Sequence, residues 1–355
     1  MRHEEVFLKA KKFLESITPR DSVVMIFNND ADGVSSCVLI KKLLEMRNIK
    51  DIFIISQPMP TEKNLIKKVQ TTVPTKIIFL DIAIDQQANV LKKLAGICDI
   101  LIVDHHQITN DMNSDTITHY NPRFGGAKIY QSTSYCAYKL CSAITGMAEW
   151  LWIAAVGMIG DYNLNDSQDM VNEIRKKYSI TGQLYDSLLG RFADMISAAR
   201  ATKVMSCEEM VELFGKALSP QDFEKLQGAE KLIDAYKKTE NEIVSIMADI
   251  EKTAEKTGNI ILYNIKSEYN LASPISTKLS EKYFNKIVII YSHAGNKVKI
   301  SARNQSQKWD VAGLLQRAAH GMKASAGGHA AAAGATLQAS DWAVFKERLI
   351  ELATK

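Results

Sequence analysis

Between residues 21 and 104 the chain repeats one pattern. Four short runs rich in Ile and Val, SVVMIF, DIFIIS, KIIFLDI and DILIVD, alternate with stretches such as VSSCVLIKKLLEM and DQQANVLKKLAGI. The apolar residues of those longer stretches recur at helical spacing. Strands that are apolar along their whole length belong in a parallel sheet with helices on both faces, so the pattern predicts an α/β fold of strand-helix-strand units. Such sheets bind ligands beyond the carboxyl ends of their strands. The residues that end each run are therefore the first place to look for chemistry.

They are polar in a consistent way. The first run ends in Asn28-Asn29-Asp30-Ala31-Asp32-Gly33, the third in Asp81, and the fourth in Asp104-His105-His106. One carboxylate at a strand-to-helix turn is most simply a helix cap. Carboxylates and imidazoles at several strand ends need another explanation, because loops alone do not require them. A further acid, Asp161, follows the apolar stretch WLWIAAVGMIG. There it stands at the end of a helix where the macrodipole disfavours negative charge and a cation would compensate. Asp30, Asp32, Asp81, Asp161 and His105 form a donor set suited to Mn²⁺ or Mg²⁺, whereas structural zinc favours Cys and His. Two such ions roughly 3.5–4 Å apart activate water and clamp the oxygens of a displacement at phosphorus. The set points to metal-assisted phosphoester hydrolysis.

The ordered motifs NNDADG, the Asp of IIFLDIAI, VDHH and GDY resemble those of the DHH phosphoesterase family, and the full set is similar to its RecJ-like single-strand exonucleases. The resemblance implies two ions, Mn²⁺ in preference to Mg²⁺. Asp30 and Asp81 would hold one, and Asp32, His105 and Asp161 the other, with Asp81 bridging. It further implies that His106 faces the substrate phosphate and that Asp104 orients the motif. With Asp81 and His105 these complete the expected catalytic group. One departure is Asn28, where the family usually places a His or Asp ligand; an amide oxygen is a weaker, neutral donor.

Beyond Asn121-Pro122 and Gly125-Gly126 the patterns become mainly helical, including a long charged stretch from about Asp222 to Lys256. Strand-like runs return from Asn259, and an Ala/Gly-rich stretch, KASAGGHAAAAGAT, follows them. The expected organisation is a metal-binding domain over 1–190, a helical connecting region over 191–257 and a smaller mixed α/β domain over 258–355, with a cleft between the domains. In the last of these, Gly327, Gly328 and His329 permit close approach of backbone N–H groups to phosphate. Ser301 and Arg303 fall on one side of a strand end, and Arg303 suits bidentate phosphate recognition. Taken alone, these residues read equally well as a flexible turn and a solvated arginine. The family's carboxyl-terminal domain carries a similar Gly-Gly-His loop and strand Arg that hold the nucleic acid. Arg123 is a weaker substrate candidate. Trp150 and Trp152 belong to the core, Trp309 and Trp342 are read as packing residues, and His3, His119, His293 and His320 default to surface or loop positions.

A net charge of +4 is too small for a protein that coats nucleic acid by charge alone. Any polyanion site must be local. No run of apolar residues is long enough to span a bilayer, the amino terminus lacks a signal peptide's apolar segment, and five cysteines without a Cys-x-x-Cys pair suit buried thiols, so a cytoplasmic protein is expected. The function expected is a metal-dependent exonuclease that cuts single-stranded DNA or RNA to nucleoside monophosphates, with roles in DNA repair and replication. The alternatives are an oligoribonuclease or small-nucleotide phosphatase, and a scaffold bound to GINS or other replication proteins.

Overall fold

The four Ile/Val runs are strands. In the computed structural model, which describes residues 2–57, 69, 71–162, 164–328 and 330–354, helix α1 (His3–Ser16) leads into β1 (Val23–Phe27), α2 (Ala31–Met46), β2 (Ile52–Ser56) and β3 (Lys76–Leu80). Helix α3 (Ala88–Ala95), β4 (Asp99–Val103) and β5 (Ile117–Tyr120) complete the sheet. All five strands are parallel, in the order β2-β1-β3-β4-β5. Alternate side chains serve opposite faces. From β1, Val23, Met25 and Phe27 enter one core while Val24 and Ile26 enter the other.

In this order the chain leaves β1 toward one edge of the sheet and leaves β3 toward the other. The loops after those two strands therefore diverge, and the gap between them is where a sheet of this topology takes its ligand. Asp30 and Asp32 follow β1, and Asp81 follows β3.

The helices α4 (Thr133–Ser142), α5 (Leu151–Gly160), α6 (Gln168–Lys177), α7 (Leu188–Thr202) and α8 (Cys207–Lys216) come next. Every residue of α5 from Leu151 to Ile159 is buried, as expected of a helix that is apolar all round. Trp150 and Trp152 lie in this core, and all five cysteines are buried thiols.

Two compact units divide the chain, 1–236 and 237–355. The division falls within the long helix α9 (Ala229–Thr253). Phe192 and Ile196 of α7 and Phe214 of α8 belong to the core of the first unit, so the helical region 191–257 is shared between the units. The charged stretch starts its long helix at Ala229 because Gly228, at φ +100°, breaks it from the short turn Phe223–Lys225.

The second unit holds β6 (Glu255–Thr257), β7 (Ile260–Asn264), α10 (Ala272–Lys282), β8 (Ile287–Ala294), β9 (Lys297–Arg303), α11 (Val311–Ala318), β10 (Ser325–Gly328), β11 (Ala332–Gln338) and α12 (Trp342–Thr354). Its six-stranded sheet runs β10-β11-β9-β8-β7-β6 and is mixed, only β7 and β8 being parallel. The Ala/Gly-rich stretch forms the β10-β11 hairpin. At Gly328, φ is +137° and a Cβ would stand 2.5 Å from the Ala332 carbonyl oxygen, so glycine is required there. His329 lies outside the described residues.

Candidate metal centre

Asp32 begins the assembly. It lies in the first turn of α2 and is 1% exposed. Its carboxylate accepts backbone N–H bonds from Thr133 (2.6 Å) and Ser134 (2.8 Å), the opening residues of α4. Those donors have no partner inside their own helix, and the positive end of the helix dipole favours the charge they meet. Burial nevertheless raises the Asp32 pKa, with Asp30 adding to the rise and His105 opposing it.

His105 comes from the loop after β4 and is 2% exposed. Its Nε2 lies 3.2 Å from Asp81 Oδ1, and its Nδ1 lies 3.4 Å from Asp161 Oδ2. Burial lowers the His105 pKa, but the charges of Asp161, Asp32, Asp104 and Asp30 outweigh it and raise it. Among the described residues neither Nδ1 nor Asp161 Oδ2 has a hydrogen-bond partner, although both are buried. Buried polar atoms without a hydrogen-bond partner are costly, and a cation held among them would relieve that cost. Asp32, His105 and Asp161 bring ligand atoms within 4.8 Å of one another. The donor set therefore fits a divalent metal.

Asp161 is the C-cap of α5, the position that the sequence marks as needing a cation. Burial pushes its carboxyl up to about 6, with Asp32 and Asp30 contributing and His105 opposing. Tyr130 braces this corner. Its ring meets His105 edge-on at 5.0 Å, burial and the Asp161 charge push its hydroxyl pKa up, and the Arg123 guanidinium lies over its ring at 5.7 Å. Arg123 Nε also donates to the His105 carbonyl at 3.0 Å, so this arginine supports the loop of the histidine pair. Tyr130 carries no local signal in the sequence; only the fold brings it to residues 105 and 161.

Asp81 is 2% exposed at φ +60°, a left-handed backbone rare for a residue with a Cβ. Burial raises its pKa well above the usual carboxylate range, and Asp30 and Asp32 add to the rise. A second possible ligand set joins Asp81 with His105 and His106. Asp30, which the sequence pairs with Asp81, is in neither set. Instead the Asn28 amide lies between the two carboxylates, with Nδ2 donating to Asp30 Oδ2 at 2.7 Å and to Asp81 Oδ2 at 3.0 Å.

His106 is half-buried beside Asp104, Nδ1 to Oδ1 2.7 Å. Burial lowers its pKa, but the charge and hydrogen bond of Asp104, together with the Asp81 charge, outweigh burial and lift it to about 9. In return His106 overcomes the burial of Asp104 and holds that carboxyl near 2.

The second unit has its own polar pocket, of about 470 Å³, lined by Ser273, Lys299, Ser301, Arg303, Ser325 and Gly328 among others. Ser301 and Arg303 share one side of β9, as their spacing predicts. Arg303 donates to Ser273 Oγ at 3.3 Å, and Ser301 pairs with Ser276 at 2.9 Å. The Ser276 and Thr277 hydroxyls both donate back to the Ser273 carbonyl. Lys278 pairs with Glu240.

Two family models match the chain. Residues 22–160 match the DHH family, N-terminal domain, and residues 265–355 match the DHHA1 domain. The chain belongs to the DHH/DHHA1 phosphoesterase superfamily. It is a metal-dependent hydrolase acting on ester bonds, with a buried Asp/His metal-binding cluster. No curated protein sequence matches this phosphoesterase. Among solved structures, RecJ from Thermus thermophilus in complex with Mn²⁺ superposes with a TM-score of 0.77 at 15% identity, over 98% of this chain and 55% of that one. An exonuclease RecJ bound to manganese gives 0.72 at 16%, over 98% and 94%. The pGpG-specific phosphodiesterase PggH from Vibrio cholerae gives 0.55 at 14%, over 93% and 98%. At these identities the likeness is one of fold. The chain spans only about half the length of the Thermus RecJ.

Proposed function

We propose that this phosphoesterase is an exonuclease that cuts single-stranded DNA or RNA to nucleoside monophosphates. The observation that carries the proposal is the pair of buried polar atoms without a hydrogen-bond partner, His105 Nδ1 and Asp161 Oδ2, beside an Asp32 fixed by two backbone donors. A divalent ion held there by Asp32, His105 and Asp161 would activate water and stabilise charge developing on the phosphate. The chain's own residues supply the rest. His106 stays protonated at neutral pH because of Asp104, and it donates to a phosphate oxygen or to the departing oxygen. Asp81 Oδ1, 3.2 Å from His105 Nε2, holds that ring in place. In the second unit, Arg303, Lys299 and the serines around them offer contacts to a further phosphate.

A second reading, a phosphodiesterase for very short nucleotides, draws on the likeness of fold to the pGpG-specific phosphodiesterase PggH. Oligonucleotides of DNA and RNA labelled at either end, incubated beside dinucleotides with Mn²⁺ or Mg²⁺, separate the two. Stepwise shortening of long strands is expected. Turnover confined to dinucleotides would replace the first reading by the second. An absence of turnover on every substrate, equal to that of Asp32→Ala, would leave only a binding role, such as docking on GINS or other replication proteins.

A further inference from the structure

We infer that this phosphoesterase is built around a single ion held by Asp32, His105 and Asp161, and that the Asn28 amide replaces a second cation between Asp30 and Asp81. The inference rests on the metal reading of the site and goes beyond it in fixing how many ions the site takes.

Hydrogen bonding separates the two halves of the acidic cluster. On one side His105 Nδ1 and Asp161 Oδ2 lie 3.4 Å apart, and among the described residues neither has a hydrogen-bond partner. On the other side one amide nitrogen lies between two carboxylates, where a bridging ion would stand, whereas the two donors on Asp32 are backbone N–H groups at the start of α4. Asp30 Oδ1 accepts from the Gly33 N–H at 2.9 Å, and Asp30 Oδ2 accepts from Asn28 Nδ2. Asp81 Oδ2 accepts from the same amide nitrogen, while Asp81 Oδ1 takes the Thr133 hydroxyl at 3.3 Å and the His105 Nε2 contact. A cation bridging Asp30 and Asp81 would compete with the Asn28 NH₂ for the same two oxygens.

The orientation of the amide is itself constrained. Asn28 Oδ1 accepts the Asn29 N–H at 2.8 Å. Turning the amide to offer its oxygen to a metal would break that bond and bring an NH₂ against an N–H donor. Retreat of the loop is also limited, because the Asn28 carbonyl oxygen would lie only 2.2 Å from a Cβ at Gly33, leaving no slack between the strand end and the start of α2. The other possible set, Asp81 with His105 and His106, draws on atoms already in use. His106 Nδ1 is bonded to Asp104, and His105 Nε2 faces Asp81.

The test uses the full chain, stripped of metal and titrated with MnCl₂. Bound Mn²⁺ is counted by elemental analysis after gel filtration, and its environment is read by electron paramagnetic resonance. The wild type is expected to hold one ion per chain with the spectrum of an isolated Mn²⁺. A second ion should bind more than about 100-fold more weakly, a gap beyond the roughly 10–100-fold effect of one supporting hydrogen bond. Asn28→Asp, which removes the donor and adds a carboxylate, should take two ions and give an exchange-coupled spectrum. Two ions of similar affinity with a coupled spectrum in the wild type would overturn the inference and leave the phosphoesterase reading intact. So would a folded Asn28→Asp protein that still binds only one. Binding of no Mn²⁺ by the wild type would overturn the metal reading as well.

Discussion

Replacing Asp161 by Asn should make the metal-free protein more stable and the metal-loaded protein no more stable than before. In the folded chain the Asp161 carboxyl has a pKa of about 6, against an ordinary 3.8, because it is buried near Asp32 and Asp30. At 1.36 kcal/mol per pH unit, the gap corresponds to about 3 kcal/mol, as an order of magnitude, by which ionised Asp161 opposes folding at neutral pH. The sign follows from protonation. A carboxyl with a raised folded pKa favours the fold below pH 3.8, and that support is lost as the pH rises to about 6. The difference between wild type and Asp161→Asn should thus be small in acid, grow between those values and stay level above them. For a unit the size of residues 1–236, each kcal/mol moves the midpoint by about 2–4 °C, so in EDTA at pH 7.5 the variant should melt about 6–12 °C higher. Added Mn²⁺ should reverse the order. At 1,000 times its dissociation constant an ion adds about 4.1 kcal/mol to a protein that binds it only when folded, and the variant lacks the ligand needed to gain it. The assay is thermal melting with EDTA and across a Mn²⁺ series. A variant less stable than the wild type in EDTA, or an equal gain from Mn²⁺ in both proteins, would refute this account of Asp161.

Three other changes probe the surroundings of the same centre. Asp104→Asn removes the charge that holds His106 near 9; the alkaline limb of the kcat/KM profile should move to lower pH, with activity at pH 8 down by about 10–100-fold, and an unmoved limb would contradict the assignment. Tyr130→Phe deletes the hydroxyl beside Asp161 but keeps the ring against His105; Mn²⁺ affinity should fall by about 10-fold with little change in the metal-free melting temperature, and unchanged affinity would rule out the bracing role. Arg303→Ala should raise KM for an oligonucleotide by about 10-fold or more, the scale of a lost charge-assisted hydrogen bond, while the Mn²⁺-induced rise in melting temperature stays as in the wild type; a reduced rise would place Arg303 in the metal centre.

Elements whose signal lies within their own residues were legible in the sequence. The four Ile/Val runs carry their strand signal in composition, and β1, β2, β3 and β4 lie within them, although the edge strand β2 is only partly buried. Strand β5 does not: Ile117–Tyr120 includes Thr118 and His119, and nothing local separates it from a loop. His119, expected at the surface, is 1% exposed with its ring packed edge-on to Phe124. That Asp32 and His105 converge was legible for a related reason: parallel strands all end at the same side, so polar strand ends meet once the sheet is granted. Asp161 ends a helix, and only the family resemblance put it with them. Which atoms pair was not legible. Asn28 and Asp81 are 53 residues apart, and whether an asparagine offers its oxygen or its NH₂ to a carboxylate depends on the third group it meets, here the Asn29 N–H.

The supports of the centre are also the close contacts of the core. Asp32 is held by the first turn of α4, and Asp161 ends α5. These two helices meet where a Cβ on Gly157 would stand 2.3 Å from Ser134 Oγ and 2.9 Å from the Ser35 Cβ. Ser134 is also one of the two residues whose N–H binds Asp32. The near approach that seals the core therefore sets the separation between two ligands. Asp81 adds strain of its own, since a left-handed backbone at a residue with a Cβ costs about 1–2 kcal/mol. It is held there by the bond from its N–H to the Val103 carbonyl and by the donors on its carboxylate. An uncharged helix end and a relaxed turn would fold more readily. The fold carries these costs where three carboxylates and two imidazoles must converge, and a bound ion offsets part of them by giving His105 Nδ1 and Asp161 Oδ2 the partner that no side chain supplies.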